Sequence, residues 1–127
     1  MSDRLPYQYV VLRCVPRVDR EEFVNIGVVL HCEAAGFLDA AGHVREGAVR
    51  ALAPDADIDG VRVALDGIRA VCHGEAGPGR PDLPTPGRRF GWIAAPRSTV
   101  LQPGPVHSGM TSDPAATLAE LVGCYVG

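Results

Sequence analysis

Asn25 is the chain's single asparagine, and it interrupts the apolar run Val24-Asn25-Ile26-Gly27-Val28-Val29-Leu30. Asparagine is depleted in strands. Its two donors and two acceptor sites cost free energy when buried without partners. The residue is therefore exposed or bonded to something specific, either a neighbouring turn or a ligand or partner. Gly27, two residues on, shares its face in a regular strand and leaves room for a close approach to the backbone. Arg13, one strand away, and His31 fall on that face too. An arginine, an asparagine, a glycine and a histidine on one sheet face make a polar cleft. This register is sensitive, because a one-residue slip sends every side chain to the opposite face.

The second dense segment is 87–109, which holds the only tryptophan, Trp92. Within it, Arg97-Ser98-Thr99 follows Pro96. A guanidinium, two hydroxyls and turn amides are what a carboxylate or phosphate requires. The plainer reading is a turn whose hydroxyls bond their own backbone. His107 follows Pro103-Gly104-Pro105 and precedes Ser108-Gly109. It is the best candidate for a general acid or base, since an ordinary imidazole titrates near pH ~6.5. Trp92 packs in the core or closes a pocket. Glu21 and Glu22 are adjacent and read as a solvated turn beside Arg20 rather than a catalytic pair.

Several chemistries drop out. All 12 basic residues are arginine, so lysine Schiff-base chemistry is excluded. Cys14, Cys32, Cys72 and Cys124 form no Cys-x-x-Cys pair and match no zinc spacing. They read as buried reduced thiols. No metal, nucleotide or triad motif is present, so no cofactor and no metal are expected. The net charge is −3 with scattered arginines, which argues against nucleic acid. No apolar run approaches the ~20 residues of a membrane span, and the first residues lack the apolar core of a signal peptide. The expectation is a soluble cytoplasmic protein.

The elements that must position these residues follow from periodicity. With 127 residues and 46% hydrophobic content, the chain suits one domain over residues 1–127. Residues 7–15 read as a strand apolar on both faces, which suits a central position. Residues 22–32 form a second strand, with Val24, Ile26, Val28, Leu30 and Cys32 on one face. A turn at 33–36 leads to a short third strand at 37–39. Helices are expected at 45–52 and 57–73, the latter with Ile58, Val61, Leu65, Ile68 and Cys72 at helical spacing. Residues 74–88, with four glycines and four prolines, read as a long loop. Strands follow at 89–94 and 99–102. Asp113 caps a last helix, with Pro114 at its first position. The sum is an α+β domain in the order β-β-β-α-α-β-β-α. Its simplest form is an antiparallel sheet of about five strands with helices on one face.

Tyr7-Gln8-Tyr9-Val10-Val11-Leu12-Arg13, Arg20-Glu21-Glu22-Phe23-Val24-Asn25-Ile26-Gly27-Val28-Val29-Leu30, Arg89-Phe90-Gly91-Trp92, Ala95-Pro96-Arg97-Ser98-Thr99-Val100-Leu101-Gln102 and Val106-His107-Ser108-Gly109 resemble the bacterial domain of unknown function DUF3037. The likeness spans nearly the whole chain; residues 34–87 carry little of it. It implies a small soluble bacterial protein with no assigned activity and no catalytic residues to transfer. It also implies, from the neighbourhood of the family's genes, a HipA-like kinase as partner.

Two functions are therefore expected from the residues. The first is a non-catalytic accessory or binding protein, presenting the face around Asn25 and the 97–107 loop to a protein partner. The alternative is a small enzyme or binder for an anionic ligand. There Arg13 and Arg97 would hold the anion, Ser98 and Thr99 would donate, and His107 would move the proton. Asn25→Ala and His107→Ala should leave the fold intact but abolish whatever function an assay reports.

Overall fold

The computed structural model describes residues 4–97 and 99–127. The chain folds as an α+β structure built on a five-stranded antiparallel sheet. β1 (Leu5–Cys14) lies centrally, flanked on one side by β2 (Val24–Cys32), which pairs in turn with β3 (Phe37–Gly42). The other edge of β1 is shared by two short strands. β4 (Leu101–Pro103) pairs with its end, and β5 (His107–Thr111) with its start. The link between them keeps one bond to β1, Gly104 N–H to the Val11 carbonyl at 2.8 Å. Prolines at 103 and 105 lack the N–H that a continuous ladder requires there.

Four α-helices complete the fold: α1 (Glu46–Leu52), α2 (Ile58–Cys72), α3 (Pro86–Ala94) and α4 (Pro114–Tyr125). The two longest are capped as the chemistry of helix starts requires. Asp57 accepts from the Gly60 amide, and Asp113 accepts from the Ala116 amide with Pro114 behind it.

The helices do not share one face, contrary to the simplest expectation. Val10, Leu12, Cys14, Ile26 and Val29 pack under α1, α2 and α3, against Val49, Ile68, Phe90 and Ile93. Tyr9, Val11, Val28, Leu30 and Cys32 pack on the opposite face under α4, against Leu118, Leu121, Val122 and Tyr125. The reason lies in β1 and β2 themselves. Both carry apolar side chains on both faces, so each face needs a cover.

Residues 89–94, expected as a strand, belong to α3. Thr85 accepts from the Arg88 amide, Pro86 takes the first turn, and Phe90 and Ile93 meet the core one helical turn apart. The expected strand at 99–102 is β4, shifted toward the C-terminus. β5 is an element that periodicity did not reveal.

Candidate functional site

The register between β1 and β2 contains a bulge. Leu12 lies opposite Gly27, but Arg13 lies opposite Asn25, so Ile26 has no partner across the ladder. The bulge exchanges faces along β2. Val24 and Ile26 join the core under α1–α3, whereas Val28, Leu30 and Cys32 join the core under α4. It also divides the polar face expected from the sequence. Arg13 and Asn25 share the α4 face. Gly27 points the other way, where an added Cβ would stand 3.2 Å from Leu65 Cδ1. His31 also points the other way; it is buried, stacks on Phe90 with centroids 5.4 Å apart, and has Glu33 Oε2 3.1 Å from its Nε2 without the geometry of a hydrogen bond.

Asn25 has a structural task. Its Nδ2 donates to the Tyr125 carbonyl at 3.3 Å, one of the last carbonyls of α4 that lack a partner within the helix. This bond ties the last turn of α4 to the sheet. Arg13 lies on the same face and is only partly covered. Arg13 lies across from Asn25 on β2 and from Gln102 on β4.

The Arg13 side chain lies close to two surfaces. Its Cζ lies 4.3 Å from the centroid of the Phe23 ring. On another side is the backbone of Gly104, where an added Cβ would come within 3.2 Å of Cζ. A larger residue there would push the guanidinium back by a few tenths of an ångström. Arg13 Nε is buried and has no hydrogen-bond partner. Among the described residues Arg13 makes no ion pair, whereas Arg17 and Arg20 nearby are matched to Asp19 and Glu22 at 3.5 and 2.8 Å. The guanidinium lines a cleft of about 330 Å³ together with Val15, Val18, Glu21, Phe23 and Gln102. Glu21 closes the turn that shapes its rim, in the left-handed region at φ 56°.

The remaining sequence candidates lie apart from this cleft. Arg97 belongs to the layer on the other face. Its Cζ sits 4.5 Å over the Trp92 ring, and it donates to the carbonyls of Trp92 and Ala95 at the end of α3. Arg13 and Arg97 therefore do not converge on one anion. Ser98 lies outside the described residues. The Thr99 hydroxyl donates to the Leu101 carbonyl at 2.7 Å, and Gln102 Nε2 donates to the Thr99 carbonyl at 2.8 Å. These bonds brace the turn into β4.

His107 pairs with Tyr9 across β1 and β5, and the two rings stack with centroids 5.1 Å apart. Four residues of extended strand, roughly 13 Å of backbone, separate Tyr9, the partner of His107, from Arg13. Tyr9 Oη is 2.9 Å from Tyr125 Oη. Burial, reinforced by that hydrogen bond, pushes the Tyr9 phenol up to about 12. Burial likewise raises the Cys14 and Cys72 thiols, Cys72 to about 12, which keeps them protonated and poorly nucleophilic.

Sequence reasoning placed Arg13 and Asn25 here but missed Phe23, Glu21, Gln102 and Gly104. Alternation alone sets Phe23 on the face of Asn25, two residues away. The close approach of Gly104 has no local signal, because it depends on a strand pairing across nearly the whole chain.

A family model described as "Protein of unknown function (DUF3037)" matches residues 9–126. No curated protein and no solved structure matches the chain.

Proposed function

The chain belongs to the DUF3037 family of proteins of unknown function, and from that premise we propose that it is a non-catalytic accessory protein that binds a protein partner at the Arg13 cleft. The observation that carries this reading is the pairing of a guanidinium with a large exposed ring at the uncovered end of the sheet. Phe23 is 45% exposed and Val18 40%, and both border the cleft with Arg13. Arginine and aromatic residues in a concave setting are what dominate binding energy at protein interfaces. The titratable groups near the cleft are not arranged as a nucleophile and base. The nearest imidazole on that face, His107, stands apart against Tyr9.

A cytoplasmic location is part of the same proposal. It is supported by four cysteines that are all free, as suits a reducing compartment. No helix among the described residues is long and apolar enough to cross a membrane.

The test is purification of the tagged chain from a native host, with the HipA-like kinase implied by the family resemblance as the first partner to assay. The expected result is a complex of fixed stoichiometry that Phe23→Ser dissolves. Val63→Ser should leave the complex intact, since Val63 is 70% exposed on α2, on the other face. A complex indifferent to Phe23→Ser, or no complex at all, would overturn the reading.

A further inference from the structure

We propose that the cleft is a receptor for an acidic side chain of the partner protein, whose carboxylate pairs with Arg13 while a neighbouring apolar side chain packs on Phe23 and Val18. This rests on the partner-binding reading and adds the chemistry of what is bound.

Charge comes first. Arginine is rarely removed from water unless it is paired. Arg13 is largely covered, its Nε is buried without a partner, and no carboxylate of the described residues lies within ion-pair reach. The Phe23 ring offsets only part of that cost, since a cation–π contact contributes roughly 0.5–2 kcal/mol. The counter-charge is therefore to come from outside the fold. Rigidity comes second. A guanidinium in contact with a ring and close to the Gly104 backbone has less freedom left to lose on binding, and its planar fork matches a carboxylate.

A phosphate would fit less well. Glu21 lines the same cleft, so a doubly charged group meets repulsion that a single negative charge meets at half strength. Further donors for phosphate oxygens are few: the one other side-chain donor that lines the cleft is the Gln102 amide, and one of its two N–H groups already goes to the Thr99 carbonyl. Finally, Val15, Val18 and Phe23 give the cleft an apolar side that a free small carboxylate would leave bare. A protein segment carrying an acidic residue beside an apolar one satisfies both halves.

The experiment is selection of the intact protein against a display library of short linear peptides at physiological salt. The strongest binder is then resynthesised and titrated. The expected result is enrichment of Asp or Glu next to a large apolar residue. Exchanging that acid for its amide should weaken binding roughly 10- to 100-fold, the effect of losing one hydrogen-bonded charge. R13Q should cause a similar loss, R13K a smaller one, and R88Q, on the exposed side of α3, none.

If R13Q fails to fold, the Nε–H resonance of Arg13 in the unmodified protein serves instead, and should shift on adding the peptide but not its amide form. Any of four results would overturn the inference: no enriched sequence, enrichment without an acid, tighter binding of the phosphoserine form, or glutarate alone binding as well as the peptide. Peptides that need Phe23 but no acid would sink the carboxylate while leaving partner binding intact. An acid-dependent peptide together with a native complex indifferent to Phe23→Ser would do the reverse.

Discussion

The two faces of the sheet are built from the same strands but finished differently. Under α1, α2 and α3 three helices share the covering, and Leu12, Cys14 and Ile26 are buried there at the very point where β1 and β2 shift register. On the opposite face one helix does all the covering. It stops at Tyr125, with its terminal carbonyl held by Asn25, and leaves Arg13 and Phe23 beyond its end. The contrast separates two uses of polar side chains. On the sealed face they are absorbed, as His31 is against Phe90. At the open end of the other face, an arginine is braced by its neighbours and has no ion pair among the described residues. A single bulge joins the two faces, because it turns Ile26 inward to one and keeps Asn25 beside Arg13 on the other.

Crowding the backbone beside the bulge and truncating either core should therefore have the largest effects. Gly42 lies opposite Gly27 at the end of β3, with φ 155°. A Cβ there would stand 2.5 Å from Gly27 Cα, and closer still to the Ile26 carbonyl oxygen, both backbone atoms that cannot swing aside. Gly42→Ala is expected to destabilise the protein by roughly 2–5 kcal/mol, combining backbone strain with overpacking. Gly123→Ala, in open space on α4, should instead stabilise by about 0.5–1 kcal/mol. Core truncations should show that both faces are true cores. Ile26→Ala under the three helices and Leu30→Ala under α4 should each cost about 2–5 kcal/mol, since both side chains are fully buried. Denaturant melts measure all four. A far cheaper Leu30→Ala would mean that α4 is only loosely seated.

Asn25→Ala comes next, at about 1 kcal/mol, the usual net contribution of one hydrogen bond. Amide exchange should localise the effect to the last turn of α4. A loss as large as that of Ile26→Ala would instead give Asn25 a part in the core.

Alkaline pH distinguishes the faces more gently. The Tyr9 phenol, under α4, is raised from 10.0 to about 12, and the Cys72 thiol, on α2, from 9.0 to about 12. In both cases the unfolded chain ionises first. Their contribution to stability is complete below the unfolded values and is lost as pH rises toward about 12. Cys72→Ala should flatten the part of the decline that begins near pH 9.0, and Tyr9→Phe the part that begins near 10.0. Denaturation midpoints across that range decide it. An unchanged profile in both variants would place the alkaline loss in other groups.

The elements with strong periodicity or explicit caps are legible in the sequence: β1, β2, β3, α1, α2, and α4 with its Asp113–Pro114 start. α3 was open to the same reasoning, since Thr85 before Pro86 is a helix start. The short stretch Arg89-Phe90-Gly91-Trp92-Ile93 also alternates like a strand, and the pattern alone favours the wrong period. β5 is invisible for a different reason. His107-Ser108-Gly109-Met110-Thr111 has little intrinsic strand preference and exists by pairing with β1. The candidate site was half legible. Arg13 and Asn25 stand out as polar residues in apolar strands. The bulge that sends Gly27 and His31 to the other face arises in the pairing of β1 with β2, a tertiary feature that no local pattern shows.

His107→Ala should have the smallest effect, and it tests the comparison at its least settled point. By residue type His107 is the natural acid–base candidate of the chain. It is solvent-exposed on β5, and its one aromatic neighbour is Tyr9, on which it stacks. Such a cross-strand pair contributes roughly 0.2–1 kcal/mol, so truncation should lower stability by no more than that. Its position bears on function in the same way. With Arg13 roughly 13 Å along the β1 backbone from Tyr9, a partner seated at Phe23 and Arg13 is not expected to depend on the imidazole. Partner capture should therefore survive His107→Ala, although it is lost in Phe23→Ser. If His107→Ala abolished capture while the protein melted normally, the contact surface would extend past the end of α4 to Tyr9 and β5. The open end of the sheet would then be one part of a larger interface, with the aromatic cluster as its other half.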